Sequence, residues 1–322
     1  MLGAWRQAGV SQAQLAALLA YHLGVHLVLY RHQALGAGLL VLGLAIFARP
    51  LGRLLDHALV GSWRVLDAEA AAERAADPPG SFDRQPLVVL VTSAVVLTLI
   101  EYYGTRGVFI DLVDRYLPTL RQQRHWELYG YVYWSGFRLC AYGLLPWLAL
   151  HLLLRPGARL RDCGLAWRGL TQHLWLYVAL FVFILPPIVV ASFTRPFQHT
   201  YPFYDLAARS WGDFLAWELL YGAQFFALEL FFRGFMIHRL KRALGSHAIF
   251  VMALPYCMIH YNKPIAEVLG AVVAGSVLGT LSLRTRSIWC GWLIHVSVAV
   301  TMDLLSLLHK TGWPGNPQFV GS

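Results

Sequence analysis

The sequence predicts an all-α fold: a polytopic transmembrane helical bundle of eight or nine spans around a buried polar cavity. Of the 322 residues, 57% are hydrophobic and only 13% are charged, and the mean hydropathy is +0.52. Soluble domains have about 45–50% apolar and about 25% charged residues. The apolar residues also fall in runs close to the roughly 20 residues that cross a bilayer. This composition excludes a soluble enzyme, a disordered chain and a disulfide scaffold.

Nine apolar runs are the candidate spans: 14–30, 34–48, 87–104, 129–153, 172–192, 212–237, 246–261, 265–283 and 288–308. The first two give the weakest signal, because they are short and only Arg31-His32-Gln33 separates them. Two polar segments are predicted to be solvated connectors. Segment 49–86 is expected to hold an interfacial helix followed by a turn, and segment 105–128 is similarly polar.

The chain is expected to have three regions. Residues 1–170 form N-terminal membrane helices and interfacial loops without a recognised motif. Residues 171–310 form a helical core that carries the motifs described below, and residues 311–322 form a polar tail. No internal repeat is visible, which disfavours a transporter built of inverted halves.

The charge pattern predicts lipid rather than nucleic acid as a partner. Lys and Arg number 26 against 17 Asp and Glu, a net charge of +9. The basic residues lie in short loops between apolar runs, where the positive-inside rule accounts for them, and no basic soluble face is present. The four cysteines show no C-x-x-C spacing, so a zinc or redox motif is not expected. No signal peptide is predicted, since polar residues interrupt the first apolar run.

Ionisable residues at membrane depth are candidates for a functional site, because each costs at least about 2.5–3.5 kcal/mol. Those near span ends are expected to be solvated at the interface, and Arg138 is expected to pair with a carboxylate or a carbonyl. The ionisable residues within the predicted spans are Glu101, Arg138, Glu218, Glu229, Arg233, His260, Glu267, His295 and Asp303, of which Glu101, Glu267 and Asp303 lie near span ends.

The strongest signal is Glu229-Leu-Phe-Phe-Arg233, in which a carboxylate and a guanidinium lie one helical turn apart on the same face. Glu218 lies on the same stripe, eleven residues earlier. A plain structural ion pair is one interpretation. His260 and His295, on two further helices, favour a shared buried site, because a carboxylate with imidazoles can activate a water or hold a metal.

The predicted helix that ends at His260 is too short to cross the membrane. Residues 246–261 extend only about 24 Å, against a hydrocarbon core of about 30 Å. We therefore expect the helix to end inside the membrane, at a turn through Asn262-Lys263-Pro264. Irregular backbone at that depth requires water or protein beside it, so a wet pocket is predicted next to His260. Asn262 could direct a donor into it or could merely cap the helix.

These residues resemble the motifs of the CAAX-processing and bacteriocin-processing intramembrane endopeptidases, the CPBP or Abi family, which includes the type II CAAX prenyl endopeptidases. The family pattern is E-E-x-x-x-R, then F-x-x-x-H, then H-x-x-x-N or H-x-x-x-D. Glu229 and Arg233 match the second Glu and the Arg. Tyr256-Cys-Met-Ile-His260 matches the second motif with Tyr for Phe, and His295 matches the third histidine. The resemblance covers about residues 212–308.

The resemblance implies hydrolysis of a peptide bond in a membrane-anchored protein or peptide, within an integral membrane protein of the bacterial inner membrane. Glu229 would be the general base on a water, which His260 would share or orient, and His295 would donate to the oxyanion. Arg233 would hold Glu229 ionised, with Asn262 and Glu218 in support. No cofactor is expected. The alternative is zinc on Glu229, His260 and His295, which the absence of H-E-x-x-H disfavours.

Two departures from the family pattern keep other functions open. Leu228 stands where the family has its first Glu, and Ala299 stands where it has Asn or Asp. Both favour the alternative of a non-catalytic membrane protein of this fold, such as an immunity factor or a scaffold. A carrier that uses the buried carboxylates and histidines as a proton relay is a third possibility. The sequence does not predict an oligomeric state.

Overall fold

The fold is a helical bundle, known here from a computed structural model that describes residues 9–31, 42, 46, 49–50, 52–53, 56–78, 80–154, 162–166, 168–263 and 265–315. Within these residues the β-type pairing is limited to one antiparallel bridge between Leu165 and Ser287. The predicted all-α fold is confirmed. The helices are α1 (Gln12–Arg31), α2 (Gly61–Ala75), α3 (Gln85–Tyr103), α4 (Arg106–Tyr116), α5 (Trp126–Leu139), α6 (Leu145–Leu153), α7 (Arg168–Ser192), α8 (Arg195–Thr200), α9 (Trp211–Glu229), α10 (His238–Leu244), α11 (His247–Met258), α12 (Ile265–Thr285) and α13 (Trp289–Lys310).

The long apolar helices support the prediction of an integral membrane protein. Among the described residues, five segments are long and apolar enough to cross a membrane: Gln85–Tyr103, Trp126–Leu153, Trp211–Leu244, Glu267–Thr285 and Trp289–Lys310. Tyr177–Ser192 and His247–Met258 are shorter apolar helices. The predicted span 14–30 forms α1, and the predicted span 34–48 lies outside the described residues.

The first predicted connector, 49–86, contains α2, which contacts the C-terminal end of α10 through an ion pair and a hydrogen bond. Lys241 Nζ lies 2.7 Å from Glu69 Oε2, and its hydrogen bond lowers the pKa of that carboxyl below its ordinary value. Asp67 Oδ1 accepts the backbone N–H of Ser246 at 2.6 Å. Between these contacts Gly245 turns the chain out of α10 at a φ of +57°, a conformation that favours glycine. The helix predicted in 49–86 is thus present and held by ion pairs, and its interfacial position stays a prediction.

The second predicted connector, 105–128, is also helical in part. It contains α4 and the short 3₁₀ helix Pro118–Gln122. Thr105 caps the start of α4, because its hydroxyl accepts from the backbone N–H of Val108.

One hydrophobic core joins the N-terminal helices to the segment that carries the motifs. Phe231, Phe232 and Ile237, which follow Glu229 in the chain, share this core with Val89 and Val96 of α3. All five side chains are inaccessible to solvent. The boundary predicted at residue 170 therefore does not separate two cores, although the three-region division itself stays a prediction.

Candidate active site

Glu229 and Arg233 lie at the point where helix α9 changes its winding. The helix is α-helical to Glu229 and π-helical from Leu230 to Ile237, and it then continues as α10. Short π-helical stretches are rare and frequently occur at functional sites. Arg233 Nη1 lies 3.1 Å from Glu229 Oε1, and the side chains are 0% and 1% exposed. The predicted pairing on one helix face is confirmed, in a dry environment.

His295 of α13 meets the same carboxylate. Its Nδ1 lies 2.8 Å from Glu229 Oε1, and its Nε2 lies 3.0 Å from the hydroxyl of Tyr256 on α11. In a neutral imidazole one ring nitrogen donates and the other accepts. An Nδ1–H that faces the carboxylate therefore leaves the Nε2 lone pair for the tyrosine hydroxyl.

Both oxygens of Glu229 retain capacity to accept hydrogen bonds. Within the described part of the chain, neither receives a donor with hydrogen-bond geometry, although Arg233 and His295 lie at ion-pair distance. A buried carboxylate with neighbouring positive charge and unused lone pairs can accept a proton from a water.

Tyr256 connects the separate elements of the site. Its hydroxyl meets His295, and the guanidinium of Arg233 lies 3.9 Å from the centre of its ring. The residue is 2% exposed. Sequence analysis treated Tyr256 only as a replacement for the phenylalanine of the family motif. The signal that could have identified it was its hydroxyl, which is a costly group to bury without a partner.

His260, like His295, lies beside the ring of Tyr256. It follows α11, which ends at Met258 and is even shorter than the predicted span. Its Nδ1 lies 2.7 Å from the carbonyl oxygen of Tyr256, to which it donates, and the two rings are 4.9 Å apart. This hydrogen bond leaves Nε2 as the acceptor nitrogen. Contact between His260 and Glu229 stays a prediction, as does the role of Asn262, which is exposed in the adjoining turn.

Glu218 does not join this group. It interacts with Asp303, whose Oδ2 accepts the indole N–H of Trp217 at 2.6 Å. Eleven residues of helix place Glu218 about 16 Å from Glu229, so the shared stripe does not bring the two carboxylates together. The expectation that Asp303 is solvated at the interface is wrong, because its side chain is 0% exposed and packs between helices.

The two departures from the family pattern are both buried apolar residues. Leu228, 4% exposed, belongs to the hydrophobic core that joins both parts of the chain. Ala299 packs in an aromatic cluster with Tyr131, Trp217 and Tyr221. Neither position offers a polar group to the site.

Gly291, one turn before His295, is a site residue that sequence analysis missed. A Cβ at this position would lie 2.6 Å from Glu229 Oε2. Only a residue without a side chain lets α13 approach the carboxylate so closely. The available signal was its spacing, since residues four apart share a helix face.

Whether a metal takes part in the site stays a prediction. The described residues contain no group of three His, Cys, Asp or Glu side chains close enough to bind one metal ion. Glu229 and His295 are adjacent, but His260 is turned toward a backbone carbonyl.

A comparison with protein families matches residues 210–301 to the type II CAAX prenyl endopeptidase Rce1-like family. These residues contain all three motifs quoted above, and the predicted resemblance is confirmed over this segment. No curated protein and no solved structure matches the chain.

Proposed function

Because residues 210–301 carry the type II CAAX prenyl endopeptidase Rce1-like match, we propose that this protein is an intramembrane endopeptidase of the CAAX-processing type. Its substrate is a membrane-anchored protein or peptide, and it acts in the bacterial inner membrane. The observation that carries the proposal is the Glu229 carboxylate, buried beside Arg233 and His295 with both oxygens able to accept hydrogen bonds.

In the proposed reaction Glu229 takes a proton from a water, and the resulting hydroxide attacks the scissile carbonyl carbon. His260 orients that water through its free Nε2. Tyr256 donates to the oxyanion by turning its hydroxyl hydrogen from His295 Nε2 to the substrate, an interaction that typically contributes about 2.7–4 kcal/mol. The proton held by Glu229 then passes to the leaving amine, which completes the hydrolysis.

Arg233 keeps Glu229 ionised and in place. A buried carboxylate without a partner becomes neutral rather than charged, and a neutral carboxyl cannot act as a base. The ion pair of 3.1 Å offsets this cost. The ring of Tyr256 lies against the same guanidinium, so Arg233 orders both Glu229 and Tyr256.

We propose that water activation requires no metal. The proposal rests on Arg233 and His295, which already face Glu229, and on the absence of an H-E-x-x-H motif from the sequence. Cleavage that EDTA abolishes and added zinc restores would contradict it.

The decisive experiment compares Glu229→Gln with Glu101→Gln, a matched change at an exposed glutamate of α3. Purified proteins in liposomes are given a fluorescent peptide with a prenylated C-terminal CAAX sequence, and an unprenylated peptide serves as the second substrate. The Glu229 variant should lose about 10²–10⁴-fold in rate, because the amide cannot accept the proton. The Glu101 variant should keep the wild-type rate.

A second candidate function is peptide binding without cleavage, favoured by Leu228 and Ala299, which add no polar group to the site. The same assay separates the two functions. Wild-type protein that retains the peptide and releases no product would support the non-catalytic alternative. Equal cleavage by wild type and the Glu229 variant would assign Glu229 a purely structural role.

A further inference from the structure

A cavity lies at the junction of α4, α5 and the segment that follows α8, away from Glu229. Its volume is about 270 Å³. Two guanidinium groups and three aromatic rings form most of its wall. The lining residues are Thr105, Arg106, Tyr131, Trp134, Arg138 and Phe203.

Arg106 is only partly engaged by the protein. Its Nη1 donates to the hydroxyl of Tyr131 at 2.8 Å, and its guanidinium lies over that ring at 4.3 Å. Its Nε is buried and, within the described residues, has no hydrogen-bond partner. Because this nitrogen is inaccessible to solvent and lies beside Gly130, the donors that Arg106 can offer to a ligand are on its outer Nη nitrogens.

Arg138 holds the opposite wall. Its Nη1 donates to the carbonyl oxygen of Gly104 at 2.6 Å, which confirms the predicted pairing with a carbonyl, and its guanidinium lies 4.3 Å from the ring of Trp134. Neither Arg138 nor Arg106 takes part in an ion pair within the described part of the chain. Glu101, the acid that acts on Arg138, is exposed, and Asp205 and Glu127 act on Tyr131. The cavity is thus lined by two guanidinium groups that no carboxylate contacts directly within the described residues.

The start of α4 adds to that charge. Thr105 lines the cavity and is also the N-cap of this 11-residue helix. The first N–H groups of a helix and its dipole favour an anion at the N-terminus. Two guanidinium groups and one helix end thus converge on the same space.

The cavity lies next to the end of a candidate membrane span. The membrane-spanning helix α3 ends at Tyr103, directly before the cavity. Tyr102, Tyr103 and Tyr116 beside it are 70%, 56% and 66% exposed. Exposed tyrosines at the end of a span are typical of the membrane–water interface.

We propose that this cavity binds the phosphate group of an anionic phospholipid. The outer guanidinium nitrogens of Arg106 and the N-terminus of α4 donate to the phosphate oxygens, Arg138 contributes charge, and the aromatic wall contacts the glycerol and upper acyl carbons. Paired guanidinium N–H donors match phosphate geometry. Free inorganic phosphate has the same binding chemistry, and the experiment separates the two sources.

The test titrates the purified protein in detergent with phosphatidylglycerol or phosphatidylcholine and follows bound lipid by native mass spectrometry. Wild type should prefer phosphatidylglycerol. Arg106→Gln should weaken that binding about tenfold, as the loss of one charge-assisted hydrogen bond predicts. Arg106→Lys, which keeps the charge, should lose less. Arg115→Gln removes an exposed arginine of the same helix outside the cavity and should bind as wild type does.

Three results would overturn the proposal. Equal binding of the two lipids would remove the requirement for an anion. Equal losses for Arg106→Gln and Arg115→Gln would indicate nonspecific charge attraction. Complete displacement of phosphatidylglycerol by millimolar inorganic phosphate would assign the cavity to the free ion. Gel-filtration profiles identical to wild type establish that each variant is folded.

Discussion

Gly291 offers the sharpest test of the site geometry, because its hydrogen atom faces the carboxylate of Glu229. The substitution Gly291→Ala would place a methyl carbon 2.6 Å from Oε2 and 3.2 Å from Cδ. Close carbon–oxygen contacts in proteins lie near 3.3 Å. The carboxylate or helix α13 must therefore shift by about 0.7 Å.

The expected consequences differ for stability and for catalysis. Overpacking costs about 1–3 kcal/mol, and replacing a helical glycine with alanine regains about 1 kcal/mol. The folded state should therefore lose about 0–2 kcal/mol, little enough for the protein to remain assembled. A catalytic group misplaced by about 1 Å can cost about 100-fold in rate, so we expect cleavage to fall between tenfold and about 100-fold.

The assay combines cleavage of the prenylated reporter peptide in liposomes with thermal unfolding in detergent. The matched control is Gly270→Ala on α12, where an added Cβ has no neighbour within 4 Å. This control should cleave at the wild-type rate and unfold at the same or a slightly higher temperature. A Gly291→Ala protein that cleaves as fast as the control would refute the inferred approach of α13 to Glu229.

Three further substitutions test the surroundings of Glu229. Arg233→Ala should lower the unfolding temperature in detergent, because the loss of one member of a buried ion pair costs about 3–5 kcal/mol; unfolding at the wild-type temperature would contradict the burial of the pair. Tyr256→Phe removes the hydroxyl that meets His295, and should slow cleavage about 10²–10³-fold in a peptide assay while the protein stays folded; an unchanged kcat would exclude the hydroxyl from the reaction. Asp303→Asn should cleave at close to the wild-type rate, because the amide oxygen still accepts the tryptophan indole and the group does not face Glu229; strong loss at normal protein level would overturn this placement.

The sequence predicted pairs of residues well where one helix positions both members. Glu229 and Arg233 are four residues apart, and helix geometry alone places them on one face. The ion pair of 3.1 Å follows that rule. Glu218 lies on the same stripe, but a shared stripe over eleven residues does not determine which neighbouring helix each side chain meets, and its supporting role stays a prediction. Asp303 of α13 meets Glu218 instead.

What the sequence by itself determined is the chemical class of the protein and the residues that can carry its chemistry. The excess of apolar residues predicts a protein that is solvated by lipid. Charged residues inside the apolar runs are candidates for a functional site, because burying a charge in the membrane costs free energy. What only the tertiary structure decided is which of these groups touch. The approach of α13 through Gly291, the place of Tyr256 beside two histidines, and the turning of Arg106 and Arg138 into a separate cavity all depend on packing between distant segments. Local periodicity specifies the face of one helix, whereas contacts between helices arise from the close packing of side chains across the whole bundle.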